Sequence, residues 1–141
     1  DGTDTNSIRY ENTNNVIRVV LDTTSGGPVT LNSTNSKQTT SWQYIAVVWQ
    51  SGEPIRLYID GLLDASSSNV SGNLENFTKL ILGRGAQDGS SSWDGRIDDV
   101  RIYNRKLQPR KIQTHNKILL EHCQKINQSR KIQPTEIILA Q

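Results

Sequence analysis

The stretch Trp42-Gln43-Tyr44-Ile45-Ala46-Val47-Val48-Trp49-Gln50 decides how the rest of the chain is read. In extended backbone, successive side chains point to opposite faces. Trp42, Tyr44, Ala46 and Val48 therefore share one face, and Ile45, Val47 and Trp49 the other. Both faces are apolar, which is the mark of a strand covered on both sides and hence central in its sheet. Working outward, Ser51-Gly52-Glu53-Pro54 is a four-residue hairpin loop, and Ile55, Leu57 and Ile59 lie on one face of the returning strand. Asp60-Gly61 is the favoured dipeptide for a two-residue turn with positive φ, after which Leu62-Leu63-Asp64-Ala65 runs back as a third strand.

Towards the N-terminus, Ser7 to Glu11 and Val16 to Leu21 form a hairpin around Asn12-Thr13-Asn14-Asn15, whose side chains bond readily to local backbone. The polar run 22–41 holds one short strand candidate, Val29-Thr30-Leu31. Towards the C-terminus, the loop Ser66 to Asn73 leads to a strand at Lys79-Leu80-Ile81-Leu82, closed by Gly83. The loop Arg84 to Trp93 then leads to a strand over Arg96 to Tyr103. All ten glycines lie at or before Gly95. From Pro109, suited to a first helical turn, the period becomes helical: Ile112, Leu119, Cys123 and Ile126 fall within roughly 60° of one another. Pro134 stops that helix, and Thr135 to Ala140 reads as a last strand.

With 141 residues the chain suits one domain, since a core of that size removes roughly two-thirds of the unfolded surface from water. Hydrophobic content is 33% and mean hydropathy is −0.59. No run approaches the ~20 apolar residues of a membrane span, and the N-terminus lacks a signal-peptide pattern. The chain contains no Met and opens Asp1-Gly2-Thr3, so it is expected to be a processed or excised piece. A single Cys123 excludes an intrachain disulfide, which leans towards a bacterial, archaeal or viral surface protein over an animal secreted scaffold. The net charge of +2 hides an asymmetry. Residues 1–104 hold 8 Lys/Arg and 12 Asp/Glu, against 8 and 2 in residues 105–141. The basic tail reads as a solvated helix face, with docking on an acidic neighbour, a nucleic acid or a membrane surface as the alternative.

The block at residues 42–49, followed by Ile55 to Gly61, Leu80-Ile81-Leu82-Gly83 and Trp93-Asp94-Gly95-Arg96-Ile97-Asp98-Asp99-Val100-Arg101-Ile102-Tyr103-Asn104-Arg105-Lys106-Leu107, resembles the laminin-G-like/pentraxin signature of the concanavalin A-like lectin/glucanase superfamily. Four blocks in order, over residues 42–116, make the resemblance specific. It implies an all-β fold: an antiparallel two-sheet jelly-roll sandwich, here with a C-terminal helix. The organisation expected is a sandwich over residues 1–108, with early family strands missing, and a helical extension with a final strand over 109–141.

The resemblance further implies a non-catalytic glycan- or protein-binding module, with calcium at one rim in many members. In pentraxins a Glu-Gln-Asp triplet after the Leu-Gly block supplies the metal ligands. Here Ala86 replaces the glutamate, and Gln87 and Asp88 keep the last two positions. Calcium wants six to eight oxygens, so Gln87 and Asp88 alone make a weak site. Trp93, at a loop mouth, is the candidate for stacking on a sugar, although the family's pattern usually turns this aromatic inward. Asn69, in loop 66–73, is the remaining ligand candidate, and loops 66–73 and 84–94 form the expected rim. Asp98, on the face of Val100 and Ile102, is expected to point inward as a structural carboxylate, and Asp99 outward to solvent.

Catalysis finds little support. Glycosidases on this fold carry paired carboxylates close together on one strand, and no Glu-X-Asp-X-X-Glu run occurs. His115 and His122 are seven apart, not the four of a helical zinc pair, and read as packing or surface residues. Cys123 reads as a small buried hydrophobe. The function expected is therefore an adhesion or binding module on an extracellular, cell or virion surface. The competing reading is a structural subunit, such as a virion or surface-filament decoration protein, that assembles through residues 105–141. No nucleic-acid partner or transmembrane segment is expected.

Overall fold

The computed structural model describes residues 6–11, 14–37, 39–74, 80–83, 95–129 and 136–140. Strands β1 (Ser7–Glu11), β2 (Val16–Thr23) and β3 (Gly27–Asn32) form a three-stranded antiparallel sheet in the order β1-β2-β3. Strands β4 (Tyr44–Val48), β5 (Glu53–Ile59), β6 (Leu62–Val70), β7 (Ile102–Tyr103) and β8 (Glu136–Ala140), with helix α1 (Pro109–Ser129) between the last two, complete the fold. The second sheet has the order β6-β5-β4-β8-β7.

The central position read from alternation for β4 is observed, and every residue from Tyr44 to Trp49 is buried. Its odd-numbered side chains Ile45, Val47 and Trp49 join Ile55, Leu57, Ile59 and Val70 against Ile17, Val19, Leu21 and Leu31 of the first sheet. Its even-numbered side chains Tyr44, Ala46 and Val48 join Tyr58 in a second core closed by Leu107, Ile112 and Leu119. One strand thus serves two cores, and the molecule has three layers: sheet, sheet and helix. Each fully buried Ile or Leu contributes about 1.5–3 kcal/mol by leaving water. The helical stripe is used as expected at Ile112 and Leu119; the side chains of Cys123 and Ile126 lie outside the described residues.

The two-residue turn carries positive φ at both positions, 50° at Asp60 and 79° at Gly61. Asp60 Oδ1 also accepts from Tyr44 N at 2.9 Å, tying the turn to the start of β4. Helix α1 approaches this turn closely. Asn116 Nδ2 donates to Asp60 O at 2.9 Å, and a Cβ on Gly61 would meet Asn116 at 3.1 Å.

Several elements depart from the sequence reading. Strand β6 continues to Val70, so most of the expected loop 66–73 is strand. Serines alone signal a loop, but antiparallel pairing with β5, Arg56 opposite Ser66 and Glu53 opposite Val70, satisfies the backbone and overrides that signal. Residues 80–83 are not a strand, and only Ile102–Tyr103 remains of the strand expected over 96–103. The reason is local: Asp99 adopts φ 48°, which no extended strand accommodates. Alternation fails there, so Asp98 is exposed instead of inward, and Asp99 is half-buried and paired with Arg101 instead of solvated. Trp42, expected in β4, precedes it and is half-buried. The last strand exists, yet pairs in parallel with β4 (Ile45 opposite Ile137) and β7 (Ile102 opposite Leu139), so the sheet is not wholly antiparallel. Parallel neighbours need a long crossover, and α1 supplies it between β7 and β8.

Candidate functional site

Three turns meet at one end of the sandwich, and backbone chemistry fixes them together. Thr24 N donates to Asn73 O at 2.9 Å, and Asn73 N donates to Thr24 Oγ1 at 3.1 Å. Gly72 N donates to Ser51 Oγ at 3.1 Å, and Gly52 N to Val70 O at 2.8 Å. Gly72 has φ 99° and lies against Ser25, where a Cβ would come within 2.8 Å of Oγ; only glycine permits this approach. The result is a polar rim. Asn69, the ligand candidate read from the sequence, is exposed beside it, opposite Pro54 in the β5–β6 ladder.

The other expected rim loop is described only at its two feet. Leu82 and Gly83 at one foot, and Gly95 and Ile97 at the other, line an open cavity of 280 Å³. Gly83 at φ 79° and Gly95 at φ 155° turn the chain there. The loop's own candidates, Gln87, Asp88 and Trp93, lie outside the described residues. Asn69 is not among the residues lining this cavity. Among the described residues, no group of three or more His, Cys, Asp or Glu side chains is placed to hold a metal ion.

On the flank where β3 leaves its sheet, a second polar cluster was not legible in sequence. Lys37 Nζ pairs with Asp64 Oδ1 at 2.6 Å. Thr34 donates from N to Asp64 Oδ2 at 2.9 Å and from Oγ1 to Oδ1 at 3.1 Å. Burial works against the Asp64 charge, yet the bonds from Lys37 and Thr34 outweigh it and hold the carboxyl below its usual range. Nearby, the Tyr10 hydroxyl donates to Gln43 Oε1 at 2.7 Å, with Lys37 O a second acceptor at 3.0 Å. Burial, helped by the Asp60 charge, pushes the Tyr10 phenol up to about 12.

The remaining carboxylates have similar duties. Lys106, then Arg56, hold Glu53 below the ordinary range by hydrogen bonding. Asp99 bonds Arg101 through both oxygens, at 2.8 and 2.5 Å. A general acid at neutral pH needs a raised pKa, and Glu53 and Asp64 shift the opposite way. These geometries serve structure. Trp49 belongs to the core, its Nε1 reaching Val70 O at 3.3 Å, and His115 is buried while His122 is exposed, as packing and surface residues should be.

The sandwich has counterparts among known proteins. No curated protein matches the chain. A solved structure of an S-layer domain-containing protein from Clostridium thermocellum ATCC 27405 is similar in fold, with a TM-score of 0.50 and 24% sequence identity. The match covers 80% of this chain and 64% of that one. The family model Laminin_G_3, described as Concanavalin A-like lectin/glucanases superfamily, matches residues 1–113. The chain therefore belongs to the Laminin_G_3 family of concanavalin A-like sandwiches.

Proposed function

We propose that this chain is a non-catalytic binding module displayed on an extracellular, cell or virion surface, taking a glycan or protein partner at the rim formed by residues 69–74, 51–52 and loop 84–94. The observation that carries this reading is the fate of the tail. Helix α1 spends its apolar residues Ile112 and Leu119 on this chain's own sheet, and β8 pairs with this chain's own β4 and β7. A tail engaged in this way is not an open edge seeking a neighbour, which favours a self-contained binder over a subunit assembled through residues 105–141. With one face of the second sheet covered by the first sheet and the other by α1, the rim is where a ligand can approach without displacing a layer. The S-layer context of the similar solved structure supports a surface location.

In this reading residues 1–108 form the sandwich and 109–141 an extension whose helix packs on it and whose strand β8 joins its second sheet. Trp93 stacks on the ligand, Asn69 hydrogen-bonds at its edge, and any rim calcium is held through Asp88 and Gln87. The test is retention of the full chain on a panel of immobilised neutral and charged glycans, in calcium and in chelator. Saturable retention that Trp93→Ala weakens about tenfold, the worth of one good stacking contact, supports the reading. Absence of retention on every glycan, together with self-association, would replace it with the assembly role.

A further inference from the structure

Strand β8 holds its place in the second sheet differently from its neighbours. The Asp60-Gly61 turn ties β5 directly to β6, whereas β8 is reached through α1 and residues 130–135. It lies between β4 and β7 and runs parallel to both, the pairing that is slightly less stable per residue. Along β4 it pairs from Tyr44 opposite Glu136 to Val48 opposite Ala140; along β7 it pairs only with Ile102 and Tyr103. Helix α1 is anchored by side chains of its own, Ile112 and Leu119, against Tyr44, Ala46, Val48 and Tyr58.

The place that β8 fills has a defined chemistry. Tyr44 N donates to Asp60 Oδ1 at 2.9 Å, and Tyr44 O accepts from Asp60 N at 2.8 Å, so the backbone groups of Tyr44 face the β5 side. Backbone groups alternate sides along a strand. Ala46 and Val48 therefore bond β5, and the N–H and C=O of Ile45 and Val47 turn towards β8. Above and below these groups β4 is dry: Ile45 and Val47 join the core against the first sheet, and Tyr44, Ala46 and Val48 the core under α1. Buried backbone groups demand partners. What satisfies this edge is an extended apolar segment that brings its own ladder. A helix supplies no ladder, and a charged segment fails against two apolar layers.

We propose that β8 is the removable occupant of a strand-binding slot between β4 and β7, and that the slot accepts in its place an extended apolar segment of a partner protein, parallel to β4. The inference goes beyond the rim reading and does not rest on it. The partner competes with a tethered strand, whose effective concentration is on the order of millimolar. A second copy offers only the same Glu136–Ala140 strand and does not win below that concentration, so the chain stays monomeric. A segment with β-branched residues at every position pairs better and does win.

Hydrogen exchange of the full chain, followed amide by amide, tests whether the slot opens. The amides of Ile45 and Val47 report pairing with β8, and those of Ala46 and Val48 pairing with β5. Ile45 and Val47 are expected to exchange at least tenfold faster than Ala46 and Val48. Ile138→Pro, which a central strand does not tolerate, vacates the slot. A peptide of residues 135–141 is expected to bind that variant at least tenfold more tightly than the parent and to restore protection at Ile45 and Val47. The same peptide with proline at its third position binds neither protein. Equal exchange at all four amides, limited by global unfolding, would overturn the proposal on the parent protein alone, even where Ile138→Pro does not fold. Equal affinity for parent and variant, or binding that leaves Ile45 and Val47 unprotected, would overturn it as well.

Discussion

The Lys37 ammonium lies 2.6 Å from Asp64 Oδ1, and this ion pair fastens the segment leaving the first sheet to the edge strand of the second. Both groups are largely buried, at 19% and 10% side-chain exposure, so the pair is not the solvated kind that contributes little. Thr34 adds two donors to the same carboxylate. Asp64→Ala leaves Lys37 and Thr34 N without their acceptor and is expected to cost about 1–3 kcal/mol, read as a lower urea midpoint with unchanged slope. Asp64→Ala as stable as the parent would show that the cluster is incidental.

The same residue sets an acid limit. Its folded pKa is below the unfolded one, so its stabilisation is complete above the unfolded value of about 3.9 and is lost as pH falls through the folded value. The urea midpoint should drop below pH 4, and Asp64→Asn should show a smaller drop over that interval. An equal drop in both proteins would assign acid sensitivity to other groups.

Tyr10 sets the alkaline limit with the opposite sign. Its phenol is raised to about 12, so the folded state favours the protonated form. That contribution is present below the unfolded value of about 10 and disappears as pH rises towards 12. Phenolate absorbance should contain a component that ionises late, towards pH 12, and Tyr10→Phe should reduce it. Complete titration of all four tyrosines near pH 10 would contradict the buried hydroxyl.

Much of this architecture is legible in the chain. Alternation through Tyr44 to Trp49 identifies a strand buried on both faces, and Asp60-Gly61 identifies the turn that follows. Alternation cannot name a strand's partner, however, so the parallel place of β8 between β4 and β7 is set by the crossover of α1 and not by any local signal. The serines of β6 read as loop because propensity ignores the ladder that β5 supplies. Asp98 and Asp99 exchange roles because one residue with positive φ resets the alternation. At the site, Asn69 could be chosen by its loop-like surroundings, whereas Lys37 and Asp64 are joined only by tertiary folding.

Two glycine positions report on the rim and the helix contact. Gly72→Ala meets both positive φ and Ser25 at 2.8 Å, and Gly61→Ala meets positive φ with Asn116 at 3.1 Å. Each is expected to cost about 1–3 kcal/mol through backbone strain. Gly52→Ala, also at positive φ but in open space, should cost less than Gly72→Ala. Equal costs at Gly52 and Gly72 would mean that the Ser25 contact contributes nothing.

Ile112 is fully buried between α1 and β4, with Tyr44 and Val48 in the same core. Ile112→Ala should destabilise the whole domain by about 2–5 kcal/mol, in one transition seen alike by tryptophan fluorescence and helical circular dichroism. Loss of helical signal alone, with the fluorescence transition unmoved, would make α1 an independent appendage.

The binding reading rests on the tail closing its own sheet, and the molar mass of the full chain by light scattering across a wide concentration range tests that most directly. A constant mass of 15.8 kDa is the predicted result; a mass that grows in steps with concentration, and reverts when Glu136–Ala140 is deleted, would contradict it and make this chain an assembly subunit.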